Sequence, residues 1–372
     1  MEGIKAVILA GGEGTRLRPL TSSIPKPMVP VVNRPFLEHM IDLLKAHQVT
    51  DIILTLCYLP DLIRRHFGDG SDFGVRLTYV VEDCPLGTAG AVKNVEEHLS
   101  DTFLVINGDV FTDLDLSAMI ALHREKGAVA TIALTPVDNP TNYGVVETDY
   151  RGRVRRFIEK PSWDVVTTNM INAGFYLLGK EALQHIPQGS YFMFERGLFP
   201  LLLRLGAPFY SYASRGYWID IGTPEHYLQL NRDLILGRKG PPPGQKMANG
   251  IYLGEGCNIH PLAQIAGPVV LGKGCTIGRG VRLTGPVAMG DGCSVRDDTI
   301  IEGVVLWRGV KVGERVTMRN CIVGDNALIG DGVWVTEGAI LGDSVIVGSG
   351  NRLSHGMRVW PGKALPPESV SF

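Results

Sequence analysis

Val269-Val270-Leu271-Gly272-Lys273-Gly274-Cys275-Thr276-Ile277-Gly278-Arg279-Gly280-Val281-Arg282-Leu283 places Leu271, Ile277 and Leu283 at every sixth position, with glycine after the first two. Upstream the period runs through Ile265, Ile259 and Leu253, and downstream through Met289, Val295 and Ile301. A second run in its own register comprises Val323, Ile329, Val335, Leu341, Val347, Leu353, Val359 and Leu365. A six-residue aliphatic period predicts a parallel β-helix, because each coil buries its ladder only by stacking on the next.

The region before residue 236 follows a different rule. Val7 to Leu9, Asp51 to Leu56 and Phe103 to Ile106 read as buried strands. Leu37, Met40, Ile41 and Leu44 recur between the first two at helical spacing, just after Pro35. This alternation predicts an α/β domain with a mostly parallel sheet. Gly237-Arg238-Lys239-Gly240-Pro241-Pro242-Pro243-Gly244 can neither continue a helix nor pair in a sheet. The expected organisation is therefore a domain over 1–236, a linker over 237–250 and a β-helix over 251–372.

A length of 372 residues suits two domains. The 36 Lys and Arg against 38 Asp and Glu leave a net charge of −2, without the basic excess that nucleic-acid binding needs. Charges at Glu2 and Lys5 interrupt any leader-like apolar start, and no stretch is long enough to span a bilayer. Six cysteines without a CxxC pair read as small buried hydrophobes. The expectation is a soluble, cytoplasmic protein with neither nucleic-acid nor membrane partners.

The first strand runs into Ala10-Gly11-Gly12-Glu13-Gly14-Thr15-Arg16-Leu17-Arg18-Pro19-Leu20-Thr21, followed by Pro25-Lys26-Pro27-Met28. Glycines let backbone N–H groups approach phosphate oxygens, and Arg16 adds a permanently charged fork. Two prolines stiffen the backbone around Lys26. Further along stand Pro85-Leu86-Gly87-Thr88-Ala89-Gly90, Asn107-Gly108-Asp109, Tyr143-Gly144-Val145, Glu159-Lys160-Pro161, Asn172-Ala173-Gly174 and Trp218-Ile219-Asp220-Ile221-Gly222.

In this order the motifs resemble the sugar-1-phosphate nucleotidylyltransferases, over nearly the whole chain. The resemblance implies a Rossmann-like mixed sheet followed by a left-handed parallel β-helix, three hexapeptides to a triangular coil. Cys257, Cys275 and Cys293 would then stack as an inward ladder. It also implies that Arg16 and Lys26 face a nucleoside triphosphate and Lys160 a sugar phosphate. Tyr143, Glu159, Asn172 and the Gly144 backbone would meet the sugar. The nucleotide would lie over Leu9, Ala10, Gly11, Gly12, Gly14 and Thr15 and against Gly87 and Thr88. Asp109 and Asp220 would hold Mg²⁺, a hard cation suited to carboxylates.

Within that family the stretch Glu82 to Gly90 most resembles mannose-1-phosphate guanylyltransferases. Guanine offers two adjacent N–H donors, which one carboxylate can accept together, so Glu82 or Asp83 is the candidate base reader. UDP- or dTDP-glucose synthesis is the alternative. A hexapeptide acyltransferase would need a catalytic histidine in a long, loop-rich context, and the tail's only histidines, His260 and His355, lie in none. A silent regulatory subunit would be expected to lack the charged set that stands here. The β-helix is the expected surface for homo-oligomer formation.

Overall fold

The computed structural model describes residues 3–237, 245–246 and 250–371. Most of the expected linker, 238–244 and 247–249, lies outside the described residues. The chain divides into two compact units, Met1–Glu13 with Leu37–Asp220, and Gly14–Phe36 with Ile221–Phe372.

The first elements are β1 (Lys5–Leu9), the short strands β2 (Pro30–Val31) and β3 (Arg34–Pro35), α1 (Phe36–Ala46), β4 (Asp51–Leu56), α2 (Pro60–Phe67) and β5 (Arg76–Val81). Next come α3 (Gly87–Asn94), β6 (Thr102–Asn107), β7 (Val110–Thr112), α4 (Leu116–Glu125), β8 (Ala130–Pro136), β9 (Gly144–Thr148) and β10 (Val154–Glu159). The set closes with β11 (Met170–Gly179), α5 (Phe199–Arg204), β12 (Phe209–Ala213), β13 (Trp218–Asp220) and α6 (Pro224–Ile235).

In the first unit the sheet order is β10-β9-β11-β6-β1-β4-β5, with β8 on β11 and β12 on β8. β6, β1, β4 and β5 are mutually parallel, whereas β11 runs antiparallel to β6, which makes the sheet mixed. The parallel strands read as unbroken apolar runs because both faces are covered; Val7, Ile53, Phe103 and Val105 are all buried. Tyr176, Phe194, Phe199 and Phe209 pack as an aromatic cluster, with Phe199 5.2 Å from the Tyr176 and Phe209 ring centres. Each such ring contributes about 1.5–3 kcal/mol by leaving water.

In the second unit, the hexapeptide region forms three parallel sheets. One ladder runs Leu271, Met289, Leu306, Val323, Leu341 and Val359, each paired with the next. The two sequence registers continue one another through the same three ladders. Leu306, Val312 and Met318 form the intervening coil, all buried, and the period loses one residue before Leu306 and again before Val323. At the first of these corners Gly303-Val304 leads into the two-residue strand Val305–Leu306, where Gly267-Pro268 leads into the three-residue Val269–Leu271. Side chains keep pointing inward because the lost residue comes out of the corner and strand start.

The cysteines stack as expected: the thiols of Cys257, Cys275 and Cys293 donate to the carbonyls of Gly272, Gly290 and Trp307 at 3.1, 3.2 and 2.9 Å. Cys275 and Cys293 are buried and Cys257 partly so. Thr223 caps α6, its hydroxyl accepting from His226 N–H, with Pro224 at the first helical position.

Candidate active site

β1 lies between β4 and β6, and its end is the C-terminal edge of the parallel strands, where such sheets place ligands. Ala10 N–H donates to Thr55 O and Gly108 N–H to Leu9 O, both at 3.0 Å. A Cβ on Gly108 would lie 2.4 Å from Leu9 O, so only glycine allows this approach. Gly11 lies beside Cys57, whose Cβ would be 3.4 Å from an added Cβ, and Gly12 opens onto free space.

Glu82 follows the end of β5. Its N–H donates to Leu56 O at 2.8 Å, and its carboxylate accepts from Leu86 N–H at 3.1 Å. Burial raises its pKa, partly opposed by the Leu86 bond. Asp83 is exposed. Gly87, with φ +73°, has no room for a Cβ, which would fall 2.7 Å from Phe192 O. The Thr88 hydroxyl donates to Glu195 at 3.1 Å and accepts from Phe194 N–H at 2.9 Å.

Asp220 ends β13, and its register partner on β7 is Val110, so Asp109 lies one residue from the position opposite Asp220. The Tyr143 hydroxyl is 3.5 Å from Asp220 Oδ1, and its ring meets Trp218 edge-on at 5.4 Å. Trp218 Nε1 donates to Ala173 O at 3.0 Å. Gly144 faces Glu159 across the β9–β10 pair, and an added Cβ would lie 3.0 Å from its Oε2. Lys160 is exposed on a left-handed backbone with φ +48°, its N–H bonded to Tyr143 O at 3.0 Å. Asn172 accepts from Gly174 N–H at 2.9 Å and donates to the Tyr176 hydroxyl at 2.8 Å. The first unit thus brings Tyr143, Gly144, Glu159, Asn172 and Asp220 into one connected set.

Arg16, Lys26, Gly14 and Thr15 belong to the second unit. Gly14 has φ +63°, and a Cβ there would lie 3.2 Å from Lys26 Cβ and from Thr21 Cγ2. Thr21 Oγ1 donates to Gly14 O at 2.8 Å. Lys26 is buried, in a one-turn 3₁₀ segment that Pro25 precedes. The Arg16 guanidinium lies against Gly222, where a Cβ would come within 2.7 Å of Nη2.

Glu195 escaped the sequence reading, and Asn107 entered it only within the Asn107-Gly108-Asp109 motif, without a role. Glu195 is buried, and burial raises its pKa while the Thr88 bond opposes the shift; Glu159 and Lys160 also act on it. Its signal is a lone acid among Phe192, Phe194, Leu198 and Phe199. Asn107 has a buried Oδ1 with no hydrogen-bond partner among the described residues. In the tail, His355 pairs with Glu337 at 2.7 Å and His260 Nδ1 accepts from Leu262 N–H.

A model of the nucleotidyl transferase family matches residues 5–236. The chain belongs to that family. A model of the EIF2B subunit epsilon left-handed β-helix domain matches residues 248–353. A mannose-1-phosphate guanylyltransferase of Mycobacterium tuberculosis is 38% identical over 284 residues, 71% of this chain and 79% of the relative. A UTP–glucose-1-phosphate uridylyltransferase of Synechocystis is 38% identical over 267 residues, 68% of this chain and 69% of the relative. The structure of HddC from Yersinia pseudotuberculosis complexed with GMP-PN is 33% identical, with a TM-score of 0.54 over 62% of this chain and 99% of that one. No helix among the described residues is long and apolar enough to cross a membrane.

Proposed function

We propose that this nucleotidyltransferase joins a nucleoside triphosphate to a sugar 1-phosphate, with GTP and mannose 1-phosphate as the preferred pair. A sugar-phosphate oxygen attacks the α-phosphorus, the bond from that phosphorus to the bridging oxygen breaks, and pyrophosphate leaves. The attacking oxygen is already ionised at neutral pH, so alignment and charge stabilisation carry the reaction. Two unit charges ~4 Å apart in an effective dielectric of ~20 repel by roughly 4 kcal/mol. Arg16, Lys26 and Lys160 offset that repulsion on this reading.

Asp109 and Asp220 fit Mg²⁺. Asp109 immediately precedes β7 and Asp220 ends β13, its strand partner. Two oxygen donors thus come from adjoining strand ends, and Mg²⁺ usually takes one or two carboxylates together with waters and substrate phosphates. The ion would supply charge neutralisation at the phosphates.

The observation that carries the base assignment is Glu82, a buried carboxylate just past β5, bonded through its N–H to the end of β4, the strand next to β1. The Cys57 backbone lies beside Gly11 and its thiol is pushed up in pKa by burial and then by the Glu82 charge, which supports a base over Gly11 lying within reach of Glu82. Guanine donors would be accepted there while Leu86 N–H holds the carboxylate. The guanylyltransferase relative and the guanine nucleotide bound to HddC favour the same reading. The uridylyltransferase relative supports UTP with glucose 1-phosphate as the second. A matrix of nucleoside triphosphates against sugar 1-phosphates, scored by kcat/KM, tests both. GTP with mannose 1-phosphate is expected to lead; a preference of about tenfold for UTP or dTTP with glucose 1-phosphate, some 1.4 kcal/mol, would overturn the guanine reading. Glu82→Gln is expected to erode the GTP advantage.

A further inference from the structure

The strongest unassigned feature lies within the second unit, where the β-helix meets the segment that carries Arg16 and Lys26. Arg358 Nη1 donates to Arg18 O at 2.7 Å and to Arg16 O at 3.3 Å, across 340 and 342 residues of sequence. The Ser23 hydroxyl bonds the Asp343 carboxylate. Asn33 Nδ2 donates to Met289 O at 2.7 Å. Trp307 Nε1 donates to the Tyr227 hydroxyl at 2.9 Å, and that hydroxyl donates to Pro30 O. The segment is thus tied to the β-helix at the Arg16 turn, ahead of Lys26 and beyond it.

We infer that Arg358 is a positioning residue, which fixes the backbone of the Arg16 turn and through it the Arg16 guanidinium. The inference rests on the proposed role of Arg16 at the triphosphate. Thr15–Leu17 is a single 3₁₀ turn, too short to hold its own geometry. Its outward carbonyls need donors, and a planar guanidinium can serve two of them at once. Arg358 is itself exposed, so its removal leaves the hydrophobic ladder intact.

The test uses the full chain with GTP, mannose 1-phosphate and Mg²⁺, or with the best pair from the substrate matrix. Arg358→Met is expected to lower kcat about tenfold, since a small misplacement of a charged group weakens transition-state contacts more than ground-state ones. The KM for the sugar phosphate and the melting temperature should stay near wild type. Arg358→Lys, which keeps a donor, should recover most of the loss. Wild-type kcat in Arg358→Met, no rescue by lysine, or a loss matched by a lower melting temperature would each overturn the inference. Arg16→Ala separates the two readings. If it is inactive while Arg358→Met is normal, only the positioning role falls; if it is itself fully active, the proposed site falls with it.

Discussion

The corners of the β-helix and the strand ends of the α/β sheet treat polar groups in opposite ways. In the β-helix, Asp291, Asp297, Asp325, Asp331 and Asp343 each accept a backbone N–H from the preceding coil, at 2.7–2.9 Å. Stacking gives each of them a backbone partner. At the sheet edge, Asn107 keeps a buried oxygen without a partner among the described residues, Lys160 holds a left-handed backbone, and Glu82 and Glu195 are buried acids with raised pKa values. Left-handed backbone does not separate the two regions, since Asp298, Asn320, Asn326 and Ser344 at β-helix corners share it, and burial raises the Asp325 pKa as well. The buried, unpaired oxygen of Asn107 is what differs. Regular stacking leaves little unsatisfied; the irregular strand ends keep polar groups in reserve for recognition.

Substitutions on the irregular side should therefore cost activity without costing the fold. Asp109→Asn and Asp220→Asn are expected to lower kcat by about 10³-fold with an unchanged melting curve, on the scale of losing metal-borne charge stabilisation. Near-normal turnover of either in Mg²⁺ would remove it from the metal site. Lys26→Ala and Arg16→Ala should each cost about 10²-fold, the scale of one charged transition-state donor. Recovery of full rate at high substrate would reduce the residue to a binding role.

His123 sharpens the comparison from the side of stability. It is buried, bonded to Thr131 Oγ1 at 2.8 Å, and desolvation followed by the Arg124 charge pushes its pKa down to about 4. The unfolded state therefore binds the proton first as pH falls. Stability is fully present above about 6.5 and is lost between there and about 4, at up to ~1.4 kcal/mol per pH unit. Denaturant unfolding at several pH values should show this slope in the wild type and a shallower one in His123→Asn; identical slopes would contradict it. The smallest effect concerns thiols: native protein should label at exposed Cys84 and resist at buried Cys275, Cys293 and Cys321. Rapid labelling of Cys275 or Cys293 would contradict the inward ladder.

The β-helix was legible because its period is local: any stretch of about three hexapeptides carries the rule. Its middle coil was not, since two one-residue losses shift Leu306, Val312 and Met318 out of a fixed count of six. In the sheet, β1, β4, β6 and α1 could be read from apolar runs and helical spacing. The antiparallel placement of β11 beside β6 could not, because strand order depends on contacts far apart in sequence. The same limit hid Arg358, whose acceptors lie 340 and 342 residues away. Glu195 was hidden by its setting, a lone acid among phenylalanines with no motif around it.

The central claim is tested most directly by product stoichiometry. The full chain, with GTP, mannose 1-phosphate and Mg²⁺, should release pyrophosphate and nucleotide sugar in equal amounts, and omitting either substrate should stop both. Release of inorganic phosphate, or pyrophosphate formation independent of every sugar 1-phosphate tried, would contradict the account.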